Sequence, residues 1–382
     1  MLGEPAMPDA GYQFAIEFFR EDGSPLGQIP VTPDWEPAFE YARFAGIRRG
    51  LLPVAVATGR RVIEPIWHRQ VGEPYVSGVR AVVRSGGKES DGGEGGGEVA
   101  SEIPGAYFRG LARTTAAALV QAGALEKGDH FQYLLCAFRT TQAAAAEDAP
   151  EAGGFAVEEV VPPLPLEETL LAPFLSDALR CGTEHAEEDM PVFIPHQVLD
   201  EAKTLARQAG DVETGGILVG KLHRDREVPE VFLEITAQIP AEHTRPGQTK
   251  LTFTAETWTA VRAAIELRKQ NEQMAGWWHT HPDFCRKCPP ENRKHCQLSS
   301  AFFSAEDVHL HRTCFGQAYS VALLISQSSS ELTSALFGWR YGMVAVRGFH
   351  VTGLPTPAAT VAGKPAASAG GEHAPSVTDA TG

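Results

Sequence analysis

The chain has 382 residues, of which 43% are hydrophobic and 21% charged, and its formal net charge at pH 7 is −15. This length leaves room for two domains, each with its own core. The acidic balance argues against nucleic acid or an anionic membrane as a partner, because both are bound through basic patches. The longest apolar run of the C-terminal half, residues 321–326, is far shorter than the roughly 18 residues that a transmembrane helix needs.

The N-terminal region, residues 12–141, is predicted to form a mixed α/β domain behind a disordered N-terminus, residues 1–11. Apolar and aromatic runs between turn-forming residues predict three strands, at residues 12–19, 51–59 and 130–141, the last of them buried. Two further segments predict helices, at residues 34–50 and 107–123, the first of which ends on a glycine.

The glycine-rich segment 85–98 is predicted to be a flexible loop within this domain. No lysine followed by a hydroxyl residue comes after its glycines, so it lacks the order of a phosphate-binding loop. Its composition is typical of a spacer.

The C-terminal half is predicted to contain the second domain, residues 191–347. Residues 142–190 are acidic and contain prolines, which indicates a connector, with a short helix predicted within 166–180. From residue 191 onward strands dominate and two helices lie among them, which favours an α+β fold. Residues 348–382 have few bulky apolar side chains and are predicted to form a disordered tail.

Cysteine usage points to metal rather than disulfides. The N-terminus has neither the basic nor the apolar segment of a secretory signal, so we expect a cytoplasmic protein with reduced thiols. Three of the six cysteines, at positions 285, 288 and 296, lie close together in the sequence. In a reducing compartment such a cluster is typical of a metal site.

Two histidine pairs stand out in the C-terminal domain. His279 and His281 lie in an aromatic-rich segment that ends at a proline, which predicts a strand. Residues i and i+2 share a face of a strand, so these two rings should point together. His309 and His311 lie in a predicted helix, where the same spacing makes the rings diverge, and we expect them on the helix surface.

Three further residues are candidates for the same site. Two imidazoles need a third protein ligand to hold a catalytic zinc, and Asp307 is the best candidate. Ser304 and Asp307 also have the spacing of a helix capping box, which is compatible with a site. Glu213 stands just ahead of paired glycines, where it is either a solvated turn residue or part of the site.

The order of these elements resembles that of a known family. Glu213 precedes two glycines and an apolar strand, then come Gly-Trp-x-His-Thr-His-Pro and Ser-x-x-Asp. This order resembles the JAB/MPN (JAMM) zinc isopeptidases, which include deubiquitinases and bacterial relatives. The likeness covers about residues 191–347. It implies an α+β, cytidine-deaminase-like fold, with a mixed sheet flanked by helices, preceded here by a separate N-terminal α/β domain.

The resemblance also implies the chemistry. A zinc ion would be bound by His279, His281 and Asp307. Glu213 would hold and deprotonate the zinc-bound water and return the proton to the leaving amine, while Ser304 would stabilise the oxyanion. The expected activity is hydrolysis of a peptide or isopeptide bond at the C-terminus of a ubiquitin-like protein, which, free or conjugated, would be the partner.

The sequence departs from the family between His281 and Ser304. This segment is longer than the family usually has, and its excess coincides with a cysteine-rich insertion, residues 283–300. The coincidence favours a second, structural zinc, whose candidate ligands are Cys285, Cys288, His295 and Cys296. Because adjacent residues seldom bind one metal together, Cys314, His309 and His311 are alternative fourth ligands. An iron–sulfur cluster and free surface thiols are the alternatives to zinc.

Two other functions compete with the hydrolase. A non-catalytic MPN-type scaffold would bind a partner without turnover, but this chain keeps every candidate ligand. A DNA-associated role is disfavoured by the acidic balance. The N-terminal region resembles no family that its residues identify, and from its position we expect it to select or present the substrate.

Overall fold

The computed structural model describes residues 11–54, 60–68, 74–84, 97–140, 164–182, 185–241, 253–282, 302–328 and 331–354. Within them the chain forms two β-sheets flanked by helices. No helix in these ranges is both long and apolar enough to cross a membrane.

The first sheet has six strands, in the order β2-β1-β6-β4-β3 with β5 paired to β4. The strands are β1 (Tyr12–Arg20), β2 (Pro25–Val31), β3 (Arg61–Trp67), β4 (Tyr75–Arg84), β5 (Glu98–Pro104) and β6 (Phe131–Arg139). Its helices are α1 (Glu36–Arg48) and α2 (Arg109–Gln121). Phe14, Ile16 and Phe18 of β1 are buried on one face of the sheet, and Ala15 on the other face is buried too. β6 was expected to be buried and is only partly so.

The predicted elements of this region are largely confirmed. The strand at residues 12–19, the strand at 130–141 and both helices form close to the predicted bounds. The helix at 34–50 ends at Arg48, and Gly50, with a φ of 71° that suits glycine, follows its C-cap Arg49. The strand predicted at 51–59 is wrong for residues 51–54, which form bends, and its remainder lies outside the described residues.

The second sheet has ten strands and holds the candidate site. Its order is β15-β14-β13-β12-β10-β11-β9-β16-β8, with β7 paired to β10. The strands are β7 (Leu166–Thr169), β8 (Leu179–Cys181), β9 (Val192–Pro195), β10 (Gly215–Asp225), β11 (Val231–Pro240), β12 (Gln273–His281), β13 (Val321–Ser328), β14 (Glu331–Arg340), β15 (Met343–Arg347) and β16 (Phe349–Thr352). Parallel and antiparallel pairs are combined, as expected for a mixed sheet.

In the part of the chain that the structure describes, four helices accompany this sheet. They are α3 (Leu171–Ser176), α4 (His196–Ala209), α5 (Ala255–Arg268) and α6 (Ala305–Cys314). The buried residues of α4 recur at helical spacing and pack on the sheet, and the helix ends at Gly210, with a φ of 63°.

Two predicted boundaries are wrong. The connector predicted at 142–190 supplies β7 and β8, which pair with β10 and β16. The tail predicted at 348–382 begins with β16, because Phe349 and Val351 alternate into the core and are 2% and 6% exposed. Such short strands carry too little periodicity to be found from sequence. The predicted loop 85–98 and the remaining tail fall mostly outside the described residues.

We had expected the N-terminal region to pack as a separate domain, and it does not. One cluster of buried hydrophobic residues runs through both sheets. On α1, the ring of Tyr41 lies 5.4 Å from that of Tyr341, and the ring of Phe44 lies 6.1 Å from that of Tyr319. The acidic connector therefore joins regions that share a core.

Polar contacts reinforce this interface. The Arg48 guanidinium donates two hydrogen bonds to the Glu230 carboxylate, at 2.7 and 2.8 Å, and a third to the Glu188 carbonyl oxygen at 2.5 Å. The Arg48 side chain is only 12% exposed, so these bonds are partly shielded from water. Arg224 donates in the opposite direction, to the Ile47 carbonyl oxygen at 2.9 Å.

We expect an Arg48→Ala substitution to lower the free energy of unfolding by about 2–3 kcal/mol, since it leaves a half-buried carboxylate without its charged donor. Chemical denaturation measures this change. Arg80→Ala is the matched control, because Arg80 is 45% exposed and pairs with Glu102 at 3.4 Å. Its loss should cost less than about 1 kcal/mol. Equal costs for the two substitutions would contradict a shared, partly buried interface.

Candidate metal centre

The candidate site lies where β12 ends beside the start of α6. β12 is a central strand between β10 and β13, and its last seven residues are buried. His279 and His281 are 1% and 6% exposed. Because they are two residues apart on a strand, their rings lie on the same face, as predicted.

Three ligand atoms converge at this point. The Nε2 atoms of His279 and His281 are 3.1 Å apart. His279 Nε2 lies 3.3 Å from Asp307 Oδ1, and His281 Nε2 lies 3.4 Å from Asp307 Oδ2. This trio is the one group of three or more close metal-binding side chains among the residues that the structure describes.

The spacing of these atoms fits a zinc ion. Bonds of 2.0–2.1 Å to a tetrahedral zinc place neighbouring ligand atoms about 3.3–3.4 Å apart. The two Nε2 atoms are 3.1 Å apart, and they lie 3.3 and 3.4 Å from different oxygens of Asp307, so the carboxylate as a whole meets this spacing. With one ligand atom from each residue, the three atoms lie within 4.8 Å of one another. Two imidazoles and one carboxylate also form a donor set that zinc prefers, with one corner left for water or substrate.

Asp307 is held by the start of its helix. Ser304 is the N-cap of α6, and its hydroxyl oxygen accepts a hydrogen bond from the Asp307 backbone N–H at 3.1 Å. In return the Ser304 backbone N–H donates to Asp307 Oδ2 at 2.8 Å. The capping box expected from the sequence is therefore present, and it orients the carboxylate toward the histidines.

The charge states also suit metal binding. Burial lowers the pKa of His279 despite the neighbouring Asp307 carboxylate, so the imidazole stays neutral. Burial acts to raise the pKa of Asp307, but hydrogen bonds from His279 and His281 outweigh it and hold that pKa well below its usual range. A neutral imidazole and an ionised carboxylate are the forms that bind a metal.

Glu213 lies in the turn between α4 and β10, where it is half-buried. Hydrogen bonds extend the antiparallel pairing of β10 and β12 toward it. Thr280 N–H donates to the Thr214 carbonyl oxygen at 2.8 Å, and Thr214 N–H donates to the Thr280 hydroxyl at 2.9 Å. Glu213 directly precedes Thr214, so its backbone lies beside the end of the strand that carries the imidazoles.

One prediction about the second histidine pair is wrong. The two residues do diverge on α6, and His309 is exposed, but His311 is fully buried. Its Nδ1 accepts a hydrogen bond from Trp277 Nε1–H at 3.1 Å, and burial lowers its pKa to about 3. His311 is buried because it contacts β12, an element distant in the sequence. The residues near His311 in the sequence do not reveal that contact.

The predicted second zinc site falls outside the described residues. This holds for all four of its candidate ligands, which are Cys285, Cys288, His295 and Cys296. Of the alternative fourth ligands, Cys314 and His309 are exposed and His311 is buried. The second zinc stays a prediction.

Sequence reasoning missed the aromatic residues around the ligands. The Trp277 ring stacks on the His279 ring, with centroids 4.6 Å apart and an interplanar angle of 16°. Phe303 packs against both rings, with centroids 5.7 and 5.8 Å away. The spacing of Trp277 two residues before His279 gave a signal, since it places both side chains on one face of the strand.

Comparison with known proteins assigns this region. Residues 191–301 match the family model described as JAB1/Mov34/MPN/PAD-1 ubiquitin protease. Two solved structures are similar, protein DSY2949 from Desulfitobacterium hafniense, at 20% identity and a TM-score of 0.29, and a protein from Salinibacter ruber, at 17% and 0.28. Each match covers 42% of this chain and 92% of the other. A search of curated proteins gives no match. The C-terminal half of this chain therefore contains a domain of the JAB/MPN family.

Proposed function

We propose that the protein is a zinc-dependent metalloprotease that hydrolyses peptide or isopeptide bonds at the C-terminus of a ubiquitin-like protein. One observation carries the proposal: His279, His281 and Asp307 offer ligand atoms within 4.8 Å of one another, and the two imidazole nitrogens are 3.1 Å apart. The family match supports it, and the ubiquitin-like substrate is inferred from the family description.

A bound zinc ion supplies a Lewis acid that lowers the pKa of water from 15.7 to about 7. The remaining chemistry belongs to the side chains. Glu213, next to the Thr214 that is hydrogen-bonded to Thr280 of β12, acts as the general base that takes a proton from the attacking water. It then returns that proton to the leaving amine, which matters because a lysine ε-amine is a poor leaving group.

Ser304 acts on the charge that develops in the transition state. Its hydroxyl oxygen already accepts the Asp307 N–H through a lone pair, and this bond leaves the hydroxyl proton free to donate elsewhere. The helix cap fixes the position of that oxygen three residues before the candidate ligand Asp307. A donor fixed in this way stabilises an oxyanion without reorganising during the reaction.

A scaffold function is the second candidate, because the JAB/MPN family also has non-catalytic members. The retained ligand set argues against it here. Buried imidazoles and a carboxylate without an ion would cost stability that a non-catalytic domain has no reason to retain. The hydrolase requires Glu213 as its general base, whereas a scaffold that only binds a partner does not.

The decisive experiment compares wild type with Glu213→Gln. We expect equal zinc content by elemental analysis and a loss of about 10²–10⁴-fold in turnover of a ubiquitin C-terminal peptide amide carrying a fluorogenic leaving group. Glu266→Gln, at an exposed position of α5, is the control and should leave both values unchanged. A wild-type protein without zinc, or a Glu213→Gln protein with full turnover, would refute the proposal.

A further inference from the structure

We propose that the hydrogen bond between Trp277 and His311 is a positioning contact that sets the spacing between β12 and α6, the two elements that carry the metal ligands. The inference rests on the proposed metal site. It concerns two residues that do not bind the ion themselves and that act through His279 and Asp307.

On the strand, Trp277 immobilises a ligand ring. It lies two residues before His279 on the same face of β12, and the two rings stack at 4.6 Å. Phe303 lies 5.8 Å from the His279 ring and itself stacks on Phe337 at 4.5 Å. The orientation of the His279 imidazole therefore follows the orientation of the Trp277 indole.

On the helix, His311 lies one turn after Asp307. Residues i and i+4 share a side of a helix, so Asp307 and His311 both face β12. The strand and the helix are thus joined twice, once through the ligands and once through Trp277 Nε1–H donating to His311 Nδ1 at 3.1 Å. The second junction uses none of the ligand atoms, so it can hold the strand and the helix in place independently of metal binding.

The chemistry of the pair suits a fixed contact. His311 is fully buried beside Trp339 and Phe315, with ring centroids 5.2 and 6.1 Å away. An indole N–H can only donate, so His311 must present an unprotonated Nδ1 and carry its proton on Nε2. The lowered pKa keeps the imidazole neutral, as this arrangement requires.

Packing alone does not account for a histidine here. Its Nε2 is buried with no hydrogen-bond partner among the described residues, which destabilises the fold. An apolar side chain would remove that unpaired nitrogen but would leave Trp277 Nε1–H without its acceptor. What histidine adds is a directed acceptor, and a metal site needs such support because its ligands must be held to within about 0.5 Å.

The test uses three variants of the full chain. His311→Leu removes the acceptor, His311→Asn replaces it with an oxygen at the position of Nδ1, and Trp277→Phe removes the donor but keeps an aromatic ring. Zinc affinity is measured by competition with a chromophoric chelator. Cobalt substitution gives an absorption spectrum that distinguishes this site from a cysteine site, because only a cysteine site shows thiolate charge-transfer bands. Unfolding of the metal-free protein reports on packing.

We expect His311→Leu and Trp277→Phe to bind zinc about 10–100-fold more weakly, the range for residues that orient metal ligands. His311→Asn should recover most of the affinity. The metal-free His311→Leu protein should be about as stable as wild type, because the variant removes the unpaired Nε2 of His311 but leaves Trp277 Nε1–H without its acceptor. His350→Leu, at a partly buried histidine on β16, is the control and should not change zinc affinity.

The outcomes separate the two proposals. A wild-type protein that binds no metal at this site refutes the proposed function and with it the inference. A wild-type protein that binds zinc while His311→Leu keeps the same affinity and cobalt spectrum refutes the positioning contact alone. Equal losses in His311→Asn and His311→Leu would also refute it, since shape rather than the acceptor would then matter.

Discussion

An Asp307→Asn variant is expected to bind zinc more than about 100-fold more weakly than wild type, a loss greater than that for residues that only orient ligands. The variant keeps its helix start, because the asparagine oxygen can still accept the Ser304 N–H that Asp307 accepts at 2.8 Å. What is lost is the negative charge, which hydrogen bonds from His279 and His281 keep on Asp307 by lowering its pKa. A neutral amide is a poor ligand for zinc.

Ser304→Ala is the counterpart of this variant. It removes the acceptor of the Asp307 backbone N–H and should cost about 1 kcal/mol of stability, the usual value for an N-cap. Zinc binding should be retained while turnover falls. Chelator competition measures the zinc affinity, and denaturant unfolding measures the stability. If Asp307→Asn bound zinc like wild type, the aspartate would be a helix cap and no ligand.

Local patterns placed the candidate ligands on their strand and helix. The two-residue repeat of a strand placed His279 and His281 on one face, and the capping-box spacing placed Asp307 in the first turn of a helix. Both follow from backbone geometry within a few residues. The convergence of strand and helix was inferred from the family resemblance, because no local pattern encodes a contact between separate elements.

The predictions that were wrong also depend on contacts between elements that are distant in the sequence. His311 has the charged neighbours of a surface residue, and its burial depends on Trp277 from a distant strand. The packing of α1 on the second sheet includes the hydrogen bonds from Arg48 to Glu230, two residues that are 182 positions apart in the sequence. β7 and β16 have only four residues each, and their strand state is fixed by pairing rather than by periodicity.

Gly276 is the position at which a single methyl group should do most damage. It pairs with Val321 where β12 and β13 run parallel at the centre of the sheet. A Cβ at this position would lie 1.8 Å from the Val321 carbonyl oxygen, a backbone atom that cannot turn aside. The two strands would have to separate three residues before His279.

We therefore expect Gly276→Ala to cost more than about 4 kcal/mol, the range of exceptional core changes, and to give little folded protein. Any folded fraction should bind zinc weakly, since the displaced strand carries both imidazoles. Gly110→Ala is the matched control, because a Cβ there meets nothing within 4 Å and lies in the first turn of α2. That substitution should be neutral or stabilise by about 0.5–1 kcal/mol. Soluble yield and denaturant midpoints compare the two. A folded Gly276→Ala protein with wild-type stability would mean that β12 and β13 do not approach as closely as described, and the placement of both histidines would fall with that contact.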